Sequence, residues 1–290
     1  MRLYPECVPC MLQRAMLFCE NESEETKMRA AKALCALFSR TASKNTTTTR
    51  FANERNRLIE KLIDNPDPMK ALKAESFSAA ERLYPRFRKL VAAEKDDKKR
   101  FRLAAKVALA GNIIEFGARD HKVDLKELDA EIMAVVESKL AIDDLDKMHA
   151  KAKKAKEILY VTDNAAEVVF DKIFIEELGR YAKVYVAPLS RPVQDDAWTN
   201  ETTKAGIDAI CPIIPRGSFI GIWLQKCTPA FRKKFEEADL IIAKGMGCYE
   251  TLVDHPEKLT GRIGLLMKAK CVPVAKDIGV PVGSTIAKVL

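Results

Sequence analysis

The sequence predicts an α/β fold in which a mostly parallel sheet with covering helices follows a region built only of helices. Two observations lead to this prediction. All twelve glycines lie at or after Gly111, and the region before it is rich in Ala, Leu, Lys, Glu and Arg, which favour helices. Beyond about residue 150, short apolar runs alternate with helical or loop segments, which is the pattern of strands joined by covering helices.

The helical region is divided by polar or proline-containing breaks. One break, Asn65 to Pro68, contains Asp67-Pro68, which suggests an N-cap followed by proline at the first helical position. Helices are expected at about 8–20, 24–42, 48–64, 68–95, 98–117 and 124–155.

Five short apolar runs in the second part are interpreted as strands. They are Ile158–Val161, Val184–Ala187, Ala209–Ile214, Leu240–Ala243 and Val272–Ala275. No flexible linker separates the helical domain, residues 1–150, from the α/β domain, residues 151–290, so we expect the two parts to pack together.

Composition excludes several classes of protein. No apolar run is long enough to span a membrane, and no apolar segment of a secretory signal follows the basic start, so a cytoplasmic location is expected. The eight cysteines are too sparse for a disulfide scaffold and are expected to be thiols. The net charge of +8 fits an anionic ligand. Nucleic acid is the less favoured partner, because no aromatic side chains interleave with the basic run Arg86 to Lys106. The oligomeric state stays open.

Polar residues follow the predicted strands, at the edge where open α/β sheets bind ligands. Two carboxylates and an amide oxygen suit an octahedral Mg²⁺ or Mn²⁺ that keeps several waters. A lysine beside glycine suits phosphate, because glycine lets backbone N–H groups approach an oxyanion. Alternatively, Asp163 or Asn164 is only the N-cap of the following helix. The segments are Asp163-Asn164, Pro192 to Asp196, Arg216-Gly217-Ser218 and Lys244-Gly245-Met246-Gly247.

Seven ordered segments also carry a family resemblance. They are Cys7 to Cys10 with Gln13, Asp67 to Lys70, Ala110 to Gly117, Asp163 to Glu167, Pro192 to Asp196, Phe235 to Gly247 and Lys268 to Ala275. Over essentially its whole length, the chain resembles the metal-dependent damage-control phosphatases. This family was long catalogued as a domain of unknown function and is related to the acidic-residue methyltransferase-like proteins. The resemblance is to its short, mainly prokaryotic branch.

This resemblance implies a Rossmann-like α/β/α sandwich behind a helical domain. It also implies hydrolysis of small phosphate esters, such as sugar phosphates, nucleotides or phosphopantetheine-type compounds. The implied metal is Mg²⁺ or Mn²⁺, and oxygen ligands of this type also accept Co²⁺ or Ni²⁺. The implied metal ligands are Asp163, Asn164 and Asp196; Asp196 and Lys244 are the catalytic candidates; Asn112, Glu115, Lys244, Gly245 and Ser218 are the candidates for substrate binding.

Some positions depart from the family pattern and keep alternatives open. Phe219 stands where aspartate is common, and Cys248 where asparagine is common, so a non-catalytic homologue that binds metal and phosphoester is the alternative. A carboxyl methyltransferase is less favoured, because it would need a Gly-x-Gly loop after the first strand of the sheet. The pair Cys7 and Cys10 lacks the partners of a four-ligand zinc site, so thiols are favoured there. Either Asp195 or Asp196 could transfer a proton.

Overall fold

The computed structural model describes residues 1–43, 45–113 and 125–290. Its first part is helical, as the composition predicts. Side-chain caps start several helices: the Ser23 hydroxyl accepts from the Thr26 N–H, the Thr47 hydroxyl from Arg50, and the Asp96 carboxylate from Lys99. The helices are α1 (Cys7–Phe18), α2 (Glu24–Thr41), α3 (Thr48–Leu62), α4 (Lys70–Ala93), α5 (Asp97–Ala110) and α6 (Leu125–Glu137).

The second part is a six-stranded sheet with the order β1-β6-β5-β4-β2-β3. All neighbouring strands are parallel except β5 and β6, which are antiparallel. The strands are β1 (Ile142–Asp143), β2 (Glu157–Val161), β3 (Lys183–Ala187), β4 (Leu240–Lys244), β5 (Ile263–Lys268) and β6 (Thr285–Val289). The parallel strands β2 to β5 therefore end at one common edge.

Helices connect these strands. They are α7 (Leu145–Ala152), α8 (Glu167–Leu178), α9 (Thr199–Lys204), α10 (Pro229–Glu237), α11 (Gly245–Leu252) and α12 (Val272–Ile278). Helix α8 packs against α4 and α5 of the helical part. One apolar cluster consequently runs from Phe87 on α4 through Phe170 on α8 to Ile158 in the sheet. The expected packing of the two parts against each other is confirmed.

Three of the predicted elements are wrong. Val272–Ala275 begins helix α12, with Pro273 in the first turn, where the missing N–H costs nothing. Ala209–Ile214 is not a strand and makes only an isolated bridge from Ile213 to Val186. The predicted helix 124–155 is interrupted by β1, which pairs with β6 from the far end of the chain.

Two further features were not predicted correctly. Met69, not Asp67, is the N-cap of α4, and Asp67 instead pairs with Lys73. Strands β5 and β6 were missed. The division near residue 150 stays a prediction, and β1 places one short strand of the sheet before it. No helix in the described part of the chain is both long and apolar enough to cross a membrane.

Candidate active site at the carboxyl edge of the sheet

The loops after β2 and β3 are joined side by side. The N–H of Ala197 donates to the carbonyl of Asp163 at 2.7 Å, and the N–H of Ala165 donates to the carbonyl of Asp195 at 2.8 Å. Asn164 and Asp196 form an antiparallel bridge between them. The predicted ligands Asp163, Asn164 and Asp196 therefore come together at the carboxyl edge of the sheet.

The helix-cap alternative for Asp163 and Asn164 is wrong. Helix α8 begins at Glu167, its N-cap is Ala166, and no side chain caps it. Neither polar residue is thus needed to start the helix. Both side chains instead line a cavity of about 230 Å³ between the sheet edge and helices α1 and α3.

The cavity is lined by both acidic and basic residues, which come from both parts of the chain. The sheet edge contributes Asp163, Asn164, Asp195 and Asp196, together with Lys268 at the end of β5 and Lys270 just after it. Arg14 of α1 and Arg55 of α3 line the same space. Such a mixture suits a ligand with negative groups held beside a cation.

Asp163 is oriented by an amide from the helical part. The Asn112 side-chain NH₂ donates to Asp163 Oδ2 at 3.2 Å and to Glu167 Oε2 at 2.9 Å. Burial raises the pKa of Asp163 well above its usual range, and the charges of Glu167 and Asp196 raise it further, while Lys270 opposes them. A bound cation would relieve this repulsion between carboxylates.

Asp196 accepts a hydrogen bond from the buried Arg216. Burial raises the pKa of Asp196 to about 7, although the Arg216 charge opposes the shift. Arg216 is only 2% exposed and donates to Asp196 Oδ2 at 3.4 Å and to the Ala187 carbonyl at 2.9 Å. Arg216 therefore ties the end of β3 to the candidate ligand.

Gly245 makes room for Asp163. Its φ is +78°, a conformation that L side chains rarely adopt. A Cβ at this position would overlap the Asp163 carboxylate. The sequence predicts that Gly245 lets backbone approach a phosphate, whereas the structure indicates that it lets a carboxylate approach the start of α11.

Lys244 does not line the cavity, which corrects its expected position beside a phosphate. Its side chain is fully buried, and Nζ donates to Glu167 Oε1, to Asp171 Oδ1 at 2.6 Å and to the Ala108 carbonyl at 2.9 Å. Burial lowers the pKa of Lys244, but the charges of Asp171 and Glu167 outweigh it, and the net shift is upward. Because Glu167 also bonds Asn112, Lys244 is linked to Asp163 through a chain of hydrogen bonds.

Comparison with known proteins identifies the family. The model of the damage-control phosphatase ARMT1-like domain matches residues 3–286. The chain belongs to this family. It is 30% identical to a damage-control phosphatase of Pyrococcus horikoshii, over 99% of this chain and 97% of the relative. It is also 30% identical to a damage-control phosphatase of Archaeoglobus fulgidus, over the full length of both.

Two further comparisons agree. An uncharacterized protein of Methanocaldococcus jannaschii is 34% identical, over 98% of this chain and 94% of the relative. The crystal structure of a DUF89 family protein from Pyrococcus horikoshii superposes with a TM-score of 0.90 at 30% identity, covering 100% of this chain and 99% of that one. The predicted α/β/α fold with its helical domain and the predicted family are both confirmed. Membership in the damage-control phosphatase family supports a phosphatase activity for this chain.

The remaining predicted residues have different positions. Ser218 does not line the cavity; Arg216, two residues earlier in the same loop, is the one that reaches Asp196. Glu115 lies outside the described residues. The Phe219 ring contacts the Trp223 ring and the Arg57 guanidinium, and Phe219 does not line the cavity. Cys248 is buried, and burial raises its pKa to about 12.

Sequence reasoning missed the cationic residues of the site. Arg14 and Arg55 lie in amphipathic helices, where a single arginine gives no signal. Lys270 lies in the segment Lys268 to Ala275, which carries part of the family resemblance, so its position could have been noticed. All eight cysteines are free thiols, as predicted, and Cys271 joins Cys7 and Cys10 on the cavity wall.

The protein ligands for a metal are few. Among residues 1–43, 45–113 and 125–290, no three His, Cys, Asp or Glu side chains converge into a complete metal site. The predicted ligand set is not of that type, because it combines only two carboxylates, those of Asp163 and Asp196, with the amide of Asn164. Hard oxygen donors that leave several positions to water are the ligand chemistry of Mg²⁺ and Mn²⁺. The donor set therefore fits such an ion.

Proposed function

We propose that the chain is a divalent-metal-dependent phosphatase of small phosphorylated metabolites, such as sugar phosphates, nucleotides or phosphopantetheine-type esters. The main support is that one cavity is lined by the oxygen donors Asp163, Asn164 and Asp196 and also by Lys270. A phosphate ester needs both features, since its phosphoryl oxygens bind a cation while its negative charge is offset elsewhere.

In this proposal Asp163, Asn164 and Asp196 hold Mg²⁺ or Mn²⁺, with Co²⁺ or Ni²⁺ as substitutes. When bound, such an ion polarises a phosphoryl oxygen and orients water. Asn112 keeps Asp163 in position through its bond to Oδ2. Burial raises the pKa of both Asp163 and Asp196, and neighbouring carboxylates raise each further, so a cation beside them would favour their ionised forms.

In the proposal, a lysine contacts the substrate phosphate and a carboxylate contacts the attacking water. Lys270 replaces Lys244 in our proposal as the residue that offsets phosphate charge, since Lys270 lines the cavity and Lys244 does not. Asp195 or Asp196 accepts the proton of the attacking water. Both carboxylates line the same cavity, so single substitutions of each are needed to assign this step.

A cytoplasmic location also stays a prediction.

The test is phosphate release from a panel of phosphate esters, measured after chelation and after adding back each metal. We expect release only with metal, and a loss of about a hundredfold or more in Asp163→Ala, because removal of a metal ligand removes the bound ion. Metal affinity measured by calorimetry should fall in parallel. The exposed Asp208→Ala is the control and should keep full activity.

Two results would contradict the proposal. Full activity of Asp163→Ala would remove this residue from the site. Metal binding without phosphate release from any ester would favour the non-catalytic homologue instead.

A further inference from the structure

Arg55 is a fully buried cation at the cavity. It lies on helix α3, its side chain is 1% exposed, and it lines the space that also contains Asp163 and Lys270. It comes from the helical part of the chain, whereas the proposed metal ligands come from the sheet edge. A charge in such a position needs a physical explanation.

The partners of Arg55 are all neutral. Its Nε and Nη2 donate to Asn56 Oδ1 at 3.0 and 2.7 Å, and Nη1 donates to the Met11 carbonyl at 3.4 Å and to the Met11 sulfur at 3.2 Å. Within the part of the chain that the structure describes, Arg55 forms no ion pair. A buried guanidinium is normally matched by a carboxylate or phosphate, which accepts two parallel N–H bonds.

The guanidinium is also fixed in place. Asn56 Oδ1 accepts a third bond, from Gln194 Nε2 at 3.2 Å. Gln194 has φ +52°, a conformation that costs energy for this residue type, and it directly precedes Asp195 and Asp196. Arg55 is therefore held at a set position relative to the proposed metal ligands, as a preorganised binding group would be.

A second arginine raises the local positive charge. Arg14 of α1 lines the same cavity. Burial lowers the pKa of Arg55 to about 9, and the charge of Arg14 lowers it further, while Cys10 and Asp195 oppose this. The charge of Arg14 thus reaches Arg55, and an anion that accepts hydrogen bonds from Arg55 would be attracted by both cations.

We propose that Arg55, assisted by Arg14, forms a second anion subsite, which binds a carboxylate, phosphate or sulfonate at the far end of the substrate. This inference rests on the proposed phosphatase function and narrows it. The cavity volume of about 230 Å³ lies below the range of pockets for drug-sized ligands. The preferred substrates are thus compact phosphate esters that carry a second anionic group.

The test uses pairs of short phosphomonoesters of equal length, one ending in a carboxylate and the other in the corresponding primary amide. We expect wild-type kcat/KM to be about tenfold or more higher for the carboxylate, which corresponds to about 1.4 kcal/mol or more from the buried charge-assisted bond to Arg55. In Arg55→Met this preference should disappear through a rise in KM for the carboxylate alone. Arg55→Lys should keep part of it.

Arg50→Met is the matched control, because Arg50 lies on the same helix, is exposed, and pairs with Glu54. It should keep the wild-type preference. If Arg55→Met does not fold, Arg14→Met provides the same comparison, with a partial loss expected. Equal kcat/KM for the two wild-type substrates would overturn the subsite. An equal loss for both esters in Arg55→Met would also overturn it, because it would assign Arg55 a role in holding the loop before Asp195.

Failure of the proposed function can be distinguished from failure of the subsite. If no ester is hydrolysed, binding of methylenebisphosphonate and methylphosphonate is measured by calorimetry on the full chain, with and without Mg²⁺. Tighter binding of the bisphosphonate, lost in Arg55→Met, would support the subsite without any turnover. Equal affinities of the wild type and Arg55→Met for the bisphosphonate would overturn it.

Discussion

At the scale of single residues, the site depends on positions that carry no reacting group. Gly245 leaves the space that the Asp163 carboxylate occupies, and Asn112 donates to that carboxylate. Arg216 holds Asp196 from below. Small changes at these three positions should therefore displace the proposed ligands, because a metal site tolerates little misplacement of its donors.

Gly245→Ala tests this view. The Cβ would overlap the Asp163 carboxylate, so we expect metal affinity and activity to fall by about tenfold to a hundredfold. The positive φ should also cost about 1 kcal/mol of stability. The matched control is Gly279→Ala, where φ is +81° and nothing lies within 4 Å of the added Cβ.

Gly279→Ala should show the stability loss in denaturant unfolding and keep its activity. If both variants lose activity equally, backbone strain rather than contact with Asp163 would be the cause. If neither does, the role of Gly245 is wrong.

At the scale of elements, a buried charged group joins β4, α8 and β2. Lys244 from β4 contacts Glu167 and Asp171 from α8, and the Tyr160 hydroxyl of β2 donates to Asp171 Oδ1 at 2.7 Å. Asp171 Oδ2 has no partner within the described chain. Two carboxylates around one lysine leave an excess negative charge, and burial raises the pKa of Asp171 to about 7 despite Lys244.

This pKa predicts a pH dependence of stability. An unfolded aspartate ionises near 3.9, so between about pH 4 and 7 the folded state holds more protons at Asp171 than the unfolded state does. Stability from this group is present below pH 4 and is lost as the pH rises through about 7. Asp171→Asn should remove that loss. The free energy of unfolding of this variant, minus that of the wild type, should therefore be larger at pH 8 than at pH 5 by about 1 kcal/mol or more.

Urea unfolding at the two pH values measures this gain. Asp208 is exposed, and the free energy of unfolding of Asp208→Asn should differ from that of the wild type by the same amount at both pH values. A difference between Asp171→Asn and the wild type that is the same at both pH values would mean that Asp171 is ionised throughout.

Elements were predicted well where local pattern decides them. Helices α1 to α4 and strands β2, β3 and β4 agree with the predictions to within a few residues. Helix α5 begins where predicted but ends at Ala110, and residues 114–117 of the predicted helix 98–117 lie outside the described residues. The errors at Ala209–Ile214 and Val272–Ala275 concern short apolar runs, which are as compatible with a buried helix turn or loop as with a strand. Proline in both runs, Pro212 and Pro273, was the neglected signal, because proline is disfavoured inside a sheet.

At the scale of the whole molecule, the helical part and the sheet share one core. The ring of Phe87 on α4 contacts the ring of Phe170 on α8 edge to face, with centroids 5.5 Å apart, and both side chains are fully buried. Helix α5 packs against α8 as well. Because the cavity is lined from both parts, its shape depends on this common core.

Phe87→Ala should therefore destabilise the entire chain by about 3–5 kcal/mol, since it leaves a cavity in a packed core. Both tryptophans, Trp198 and Trp223, lie in the α/β part, so their fluorescence reports that part alone. We expect the fluorescence and circular dichroism transitions to shift together in urea. Met28→Ala, at an exposed position, should leave both unchanged. A shift in circular dichroism without one in fluorescence would show that the two parts unfold independently.

The sequence by itself determined the helical first part, the positions of three of the six strands and the residues at their ends. These follow from composition, periodicity and turn residues, which act over a few positions, whereas the choice of Asp163, Asn164 and Asp196 as candidate metal ligands is what the family resemblance implies. The tertiary structure alone decided which way the other side chains point. Lys244 meets Glu167 across 77 positions, and Asn56, which holds Arg55, meets Gln194 across 138. Such contacts depend on how distant elements pack, so no local pattern could show that Lys244 is buried or that Arg55 faces the cavity.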